Sequence, residues 1–159
     1  MPYQIGDKIT HPLHGAGVVD SIETQKIDGV EREYYVLRLP TSEMKVKIPM
    51  ATSDVIGVRP IIDAEEAERI MDSISGIEVN MTQNWNKRYR ENMIKIKSGD
   101  LMEVAEVVKG LFLRDRDRGL STGERKMLHS AKQILISEIV LSMNGNYEEI
   151  EARLENAMG

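Results

Sequence analysis

Val58-Arg59-Pro60-Ile61-Ile62-Asp63-Ala64-Glu65-Glu66-Ala67-Glu68-Arg69-Ile70 is where the grammar of this chain changes. Ahead of Pro60, apolar residues come in short alternating runs broken by Gly, Pro and Asp, the pattern of strands. From Asp63 onward they recur every three or four residues, the period of helices. Asp63 and Glu66 form the capping box that starts the first of them. Residues 1–60 and 61–159 are therefore expected to be two small domains, joined by a short hinge centred on Pro60.

Working back from that divide, residues 3–59 read as strands and turns. Lys8-Ile9-Thr10 precedes Pro12 and a Gly15-Ala16-Gly17 turn, and Val18-Val19-Asp20-Ser21-Ile22 continues as a strand. Asp28-Gly29 is a hairpin signal, because a type I′ turn needs positive φ at both central positions. The chain returns over 34–39. Met44-Lys45-Val46-Lys47-Ile48-Pro49 alternates apolar and basic residues, so one face is buried while Lys45 and Lys47 stand outside. Residues 55–59 are expected to add a last short strand. So many short strands in under sixty residues imply a small SH3- or Tudor-like antiparallel β-barrel.

Working forward, the first helix runs to about residue 74, and 75–83 form a loop that delivers Trp85 to the start of a second helix. That helix carries Tyr89, Met93 and Ile96 and stops near Ser98-Gly99. A third spans 100–118, with Gly119 as its cap. Ser121 and Glu124 form another capping box, opening a fourth helix that lasts until Asn144-Gly145. Asn146 with Glu149 starts a short acidic fifth. The predicted fold is α+β, the barrel followed by a compact bundle of four to five α-helices.

The net charge is −5 at pH 7, with 30% charged residues, ten methionines and no cysteine. Disulfides, zinc ribbons and thiol nucleophiles are thereby excluded, and a cytoplasmic protein is expected. The opening Met1-Pro2-Tyr3-Gln4-Ile5-Gly6-Asp7 has neither the cationic flank nor the apolar run of a signal peptide, and no apolar tract suggests a membrane span. Net acidity argues against coating long DNA and favours a small contact delivered by something else.

Few constellations carry chemistry. His11 and His14 sit on a turn beside Pro12 with no third ligand, so turn packing explains them better than a metal. Gly15-x-Gly17 lacks the helix that a phosphate loop needs. The acidic pairs Glu65-Glu66 and Glu148-Glu149 lie in first turns of helices, where they complement the macrodipole. No nucleophile elbow or metal cluster supports an enzyme, and no cofactor is expected.

The basic stretch is harder to dismiss. Asn84-Trp85-Asn86-Lys87-Arg88-Tyr89-Arg90 holds the single tryptophan among local cations in an acidic chain. Lys87 and Arg90 can share a helix face, from which Arg88 diverges. Trp85 could be an ordinary core residue, but its polar and cationic neighbours favour exposure. Arg125 and Lys126 stand near a helix start, where the macrodipole disfavours cations, and this suggests an external anion. A flat ring beside cations is what a nucleic-acid contact requires.

Local words then point to a family. Gly6-Asp7-x-x-x-His11-Pro12-x-His14-Gly15-x-Gly17-Val18-Val19, with Ile22-Glu23, Tyr34-Tyr35-Val36-Leu37 and Ile48-Pro49, resembles the amino-terminal module of the CarD/CdnL bacterial transcription regulators. The transcription-repair coupling factor contains the same module. The resemblance continues through Trp85-x-x-Arg88-Tyr89-x-x-Asn92, Ser98-Gly99-Asp100, Ala105-Glu106-Val107-Val108 and Leu120-Ser121-x-x-Glu124-Arg125. It ends with Met127-Leu128, Ala131 and Ile134-Leu135.

The resemblance implies a non-enzymatic regulator of transcription initiation. Its amino-terminal module would hold the β subunit of RNA polymerase, and its helical domain would reach promoter DNA. Trp85 would wedge into the minor groove at the upstream edge of the bubble and stabilise the open complex. Lys87, Arg88 and Arg90 match basic positions around the family's tryptophan, and Arg125 or Lys126 would add a backbone contact. On the barrel, Lys47 matches a polymerase-contacting basic position, with Lys45 beside it, and Gln25 stands where some members carry a basic residue. Strand pairing with the β subunit would use 35–39, which includes Tyr35 and Leu37, or 44–48. A monomer is expected in isolation. The alternative is a polymerase-bound adaptor whose helical domain contacts protein, not DNA.

Overall fold

A computed structural model of the chain describes residues 2–40 and 43–159. Strands β1 (Lys8–His11), β2 (Gly15–Ile27), β3 (Val30–Arg38), β4 (Lys45–Pro49) and β5 (Arg59–Pro60) form one antiparallel sheet in the order β4-β3-β2-β1-β5. Asp28 (φ 51°) and Gly29 (φ 78°) both take positive φ, so the β2–β3 hairpin closes through the expected two-residue turn. A register shift between Val19 and Ser21 leaves Asp20 as the extra residue of a bulge. The bulge bends β2, and the sheet curls over Ile9, Val19, Tyr35, Leu37, Ile48 and Val58. On β4, Ile48 is buried while Lys45 and Lys47 are exposed, the alternation the sequence predicts.

Two local expectations fail. Gly15-Ala16-Gly17 is not a turn; these residues open β2, Gly15 pairing with His11, and the turn lies at 12–14. Residues 55–59 are not a strand. Ser53–Ile56 instead form a helical turn, α1, closed by Gly57 at φ 101°, and strand pairing is confined to Arg59–Pro60.

Among the described residues, the bundle comprises α2 (Ala64–Ser73) with a 3-10 turn at Ile74–Gly76, α3 (Trp85–Lys97), α4 (Leu101–Arg118), α5 (Thr122–Met143) and α6 (Tyr147–Met158). Asp63, Asn84, Asp100, Ser121 and Asn146 each accept a backbone N–H from the first turn they precede. Each cap satisfies a donor that helix geometry leaves orphaned, which is why the boundaries were legible. The core is built from Leu101, Val104, Val108 and Leu111 of α4 against Ala131, Leu135 and Ile139 of α5, with Ile150 and Leu154 of α6 closing it. No helix among the described residues is long and apolar enough to cross a membrane.

Helix α5 also touches the barrel. Ala16 donates its backbone N–H to Ser137 Oγ (2.9 Å). A Cβ on Gly15 would stand 2.6 Å from that same oxygen, so the glycine is needed for helix and sheet to meet. Glu138, fully buried, receives Arg59 on both oxygens (2.7 and 2.9 Å) and the Ile62 N–H (2.9 Å). Arg59 Nε donates to Gly99 O (3.1 Å) and Ser142 Oγ to Ile62 O (2.8 Å). The join at Pro60 is thus not a free hinge, because its flanking residues are bonded to α5 from both sides.

Candidate nucleic-acid interface

Asn84 sets the site by ending the loop: its Oδ1 accepts the Lys87 N–H (3.0 Å), and Trp85 becomes the first residue of α3. Four residues on, Tyr89 lies on the same helix face, and the two rings stack with centroids 5.2 Å apart and planes 18° from parallel. Trp85 remains 42% exposed. Its Nε1 donates to Ser121 Oγ (3.0 Å), the cap of α5. A Cβ on Gly123 would sit 3.6 Å from Trp85 Cζ2 and 4.0 Å from Tyr89 Cε2, so the first turn of α5 is the floor on which the indole rests.

This contact joins the amino termini of α3 and α5. Lys87 and Arg90 are exposed on α3, and Arg125 and Lys126 are exposed on α5. Lys126, with Tyr89, Met93, Gly123 and Met127, lines an apolar groove of about 280 Å³ beside the ring pair. Arg125 donates to Leu120 O at 3.4 Å. Two helix starts add partial positive charge at the same place.

Arg88 is a correction. It is 2% exposed, and its Nε and Nη2 donate to the two oxygens of Glu124 (2.7 and 3.0 Å). Its Nη1 donates to the carbonyls of Thr82 (3.1 Å) and Gln83 (2.9 Å). With four of its five N–H donors so occupied and its side chain enclosed, it does not face outward to a phosphate. The hydrogen bonds from Arg88 hold the Glu124 carboxyl below its ordinary range against the opposing effect of burial, and those with Glu124 raise the guanidinium in turn.

On the barrel, the expected polymerase residues divide. Tyr35 (1% exposed) and Leu37 (fully buried) are core side chains, and β3 is paired on both edges, so neither its side chains nor its backbone can serve a partner there. An interior strand has no free ladder to offer. β4 stands at the end of the sheet, and its outer face carries Lys45, bridged to Asp20 (3.0 Å), and Lys47, bridged to Glu23 (3.0 Å). Gln25 is half-buried two positions beyond Glu23 on β2.

His11 and His14 lie ring to ring at 4.6 Å, and His11 Nδ1 accepts the Leu13 N–H (3.0 Å), a turn-stabilising arrangement. Among the described residues, no group of three or more His, Cys, Asp or Glu could hold a metal ion. What the sequence missed is the pairing of Trp85 with Ser121 and Gly123. Ser121 was readable as a helix cap, but no local signal says that a cap will also accept from an indole thirty-six positions earlier.

Comparison with known proteins places the chain in a family. A family model described as "CarD-like/TRCF RID domain" matches residues 3–62, and one described as "CarD, C-terminal domain" matches 69–155. The chain is 37% identical over 137 residues to "Putative transcription factor YdeB" of Bacillus subtilis (strain 168), covering 86% of this chain and 90% of that relative. An outward-facing indole on a two-part α+β chain therefore sits in a member of the CarD family of transcription regulators, and this chain belongs to that family.

Proposed function

We propose that this chain is a non-enzymatic regulator that binds the β subunit of RNA polymerase through the barrel and promoter DNA through the helical domain. The observation that carries the DNA half is a 42% exposed tryptophan, stacked and hydrogen-bonded into place, among Lys87, Arg90, Arg125 and Lys126 in a chain of net charge −5. Cations at such a site hold phosphates, and the ring wedges into the minor groove at the upstream edge of the transcription bubble. Because polymerase has already opened the duplex, the ring enters where stacking is interrupted and avoids much of the unstacking cost.

Four surface cations make weak DNA binding on their own. Anchoring on polymerase raises their effective concentration at the promoter. The barrel half of the proposal rests on β4, whose outer edge is available for strand addition and whose Lys45 and Lys47 project from it. Any ring that binds the opened promoter better than the closed one shifts the equilibrium towards opening; about 1.4 kcal/mol of difference is tenfold.

The test is Trp85→Ala in a promoter-opening assay with the cognate polymerase. Open-complex lifetime is expected to fall about tenfold, with polymerase affinity and the fold unchanged. An unaltered lifetime would remove the ring from the mechanism. Promoter footprinting with polymerase bound separates a DNA contact from an adaptor that touches only protein.

A further inference from the structure

We propose that Ser121, Glu124 and Arg88 are positioning residues that hold the Trp85 indole in one orientation and withhold its N–H from the promoter. This rests on the wedge reading above and adds how the ring is held and which part of it DNA can meet. The interactions close on themselves. Trp85 Nε1 donates to Ser121 Oγ (3.0 Å), and the Glu124 N–H donates to the same oxygen (3.2 Å). That hydroxyl in turn points its proton at Glu124 Oε1 (3.5 Å). A serine hydroxyl has one proton and two lone pairs, so the carboxylate orients it with both lone pairs free for the two N–H donors.

Glu124 is itself fixed by Arg88 on both oxygens (2.7 and 3.0 Å). Arg88 then reaches the carbonyls of Thr82 and Gln83 (3.1 and 2.9 Å), in the backbone that leads directly into Trp85. The circuit runs from indole to hydroxyl to carboxylate to guanidinium and back to the indole's own chain. Arg88 and Glu124 are 2% exposed each, so water does not compete for the two bonds between them, whereas the Trp85–Ser121 bond lies at the exposed end of the circuit.

Two consequences follow for recognition. The Nε1 and Cζ2 side of the indole is turned against α5 and one face covers Tyr89, so the exposed part is the opposite edge and face. That part has no donor or acceptor. The ring therefore enters DNA by shape and stacking, and no base is read through its nitrogen. A ring already fixed also loses less conformational freedom on insertion, an effect worth roughly two- to tenfold in open-complex lifetime.

Trp85 is the only tryptophan in the chain, so its fluorescence reports this ring alone. Ser121→Gly removes the acceptor while largely preserving the helix start, since glycine caps nearly as well as serine. Ser121→Thr restores the hydroxyl. In the free protein, Ser121→Gly is expected to increase fast indole motion in anisotropy decay and to raise acrylamide quenching, and Ser121→Thr to return both to the parent values. In the promoter assay Ser121→Gly should shorten open-complex lifetime about two- to tenfold, with no further loss when added to Trp85→Ala.

Unchanged indole motion in Ser121→Gly, with helix content retained by circular dichroism, would overturn the positioning role. Increased motion with an unchanged lifetime would overturn its functional importance. If Trp85→Ala itself leaves the lifetime unaltered, the wedge reading fails, while the free-protein fluorescence still judges the positioning circuit. A promoter-base preference that vanishes in Trp85→Phe would show that the nitrogen reads DNA and would overturn its withholding.

Discussion

At the residue scale the chain uses similar side chains for opposite purposes within one turn of helix. Lys87 and Arg90 are exposed, whereas Arg88 between them is enclosed with Glu124. Breaking such a pair is costly because the surviving charge stays buried. Arg88→Ala is expected to cost about 3–5 kcal/mol, whereas Arg88→Met with Glu124→Leu should recover much of it; chemical denaturation measures both. The pair also makes stability depend on pH. Glu124 has a folded pKa below its unfolded value, about 4.3. Its contribution is thus present above that pH and is lost as pH falls towards the lower, folded value. The doubly apolar variant should lose less stability on acidification over that window. The exposed cations obey a different rule. Lys87→Glu with Arg90→Glu should weaken promoter association and flatten its logarithmic salt dependence by about two units, since each phosphate contact contributes about 0.9. An unchanged slope would take both residues out of the DNA contact.

At the scale of elements, the loop before α3 needs support, because the position of Trp85 is no better fixed than the backbone that delivers it. Lys109 of α4 supplies part of that support. It is 6% exposed, and its Nζ donates to the carbonyls of Ile74 (2.8 Å), Ser75 (3.1 Å) and Ile77 (2.8 Å). These carbonyls lie at the end of α2 and its 3-10 turn, where helix geometry leaves carbonyls short of partners; of the three, Ile74 O also accepts the Ile77 N–H (3.2 Å). Lys109→Met fills a similar volume but takes the shared donor away from all three. We expect a loss of about 1–3 kcal/mol and faster hydrogen exchange over residues 77–84. Exchange rates equal to the parent's would show that the loop is held without the ammonium.

At the scale of the whole molecule, α5 is the strut. Its 22 residues span about 33 Å. Its first turn is the floor under the indole, and Ser137, Glu138 and Ser142 bond the barrel and the segment after it. If both ends act on one polymerase–promoter complex, the strut fixes the distance between the two contacts. Glu138→Gln removes the charge that Arg59 and the Ile62 N–H converge upon. It should leave polymerase affinity near the parent value, loosen the barrel against the bundle in small-angle scattering, and shorten open-complex lifetime several-fold. A loosened molecule with the parent lifetime would mean that the fixed distance is not used.

Much of this was written locally. Helix starts were legible because an Asp, Asn or Ser cap and its target amide lie two or three residues apart, and the β2–β3 turn because Asp28-Gly29 must supply two positive φ values. The change from strands to helices after Pro60 and the presence of cations around Trp85 came from the same short-range rules. Long-range geometry decided the rest. Which arginine faces outward depended on a carboxylate thirty-six positions away, and the role of Gly15 on a helix that begins more than one hundred residues later. Whether 35–39 or 44–48 could offer an edge depended on strand order, which alternation along a single strand does not encode. Caps and turns are contests between a residue and its neighbours, whereas burial is settled by whatever the folded chain brings against it.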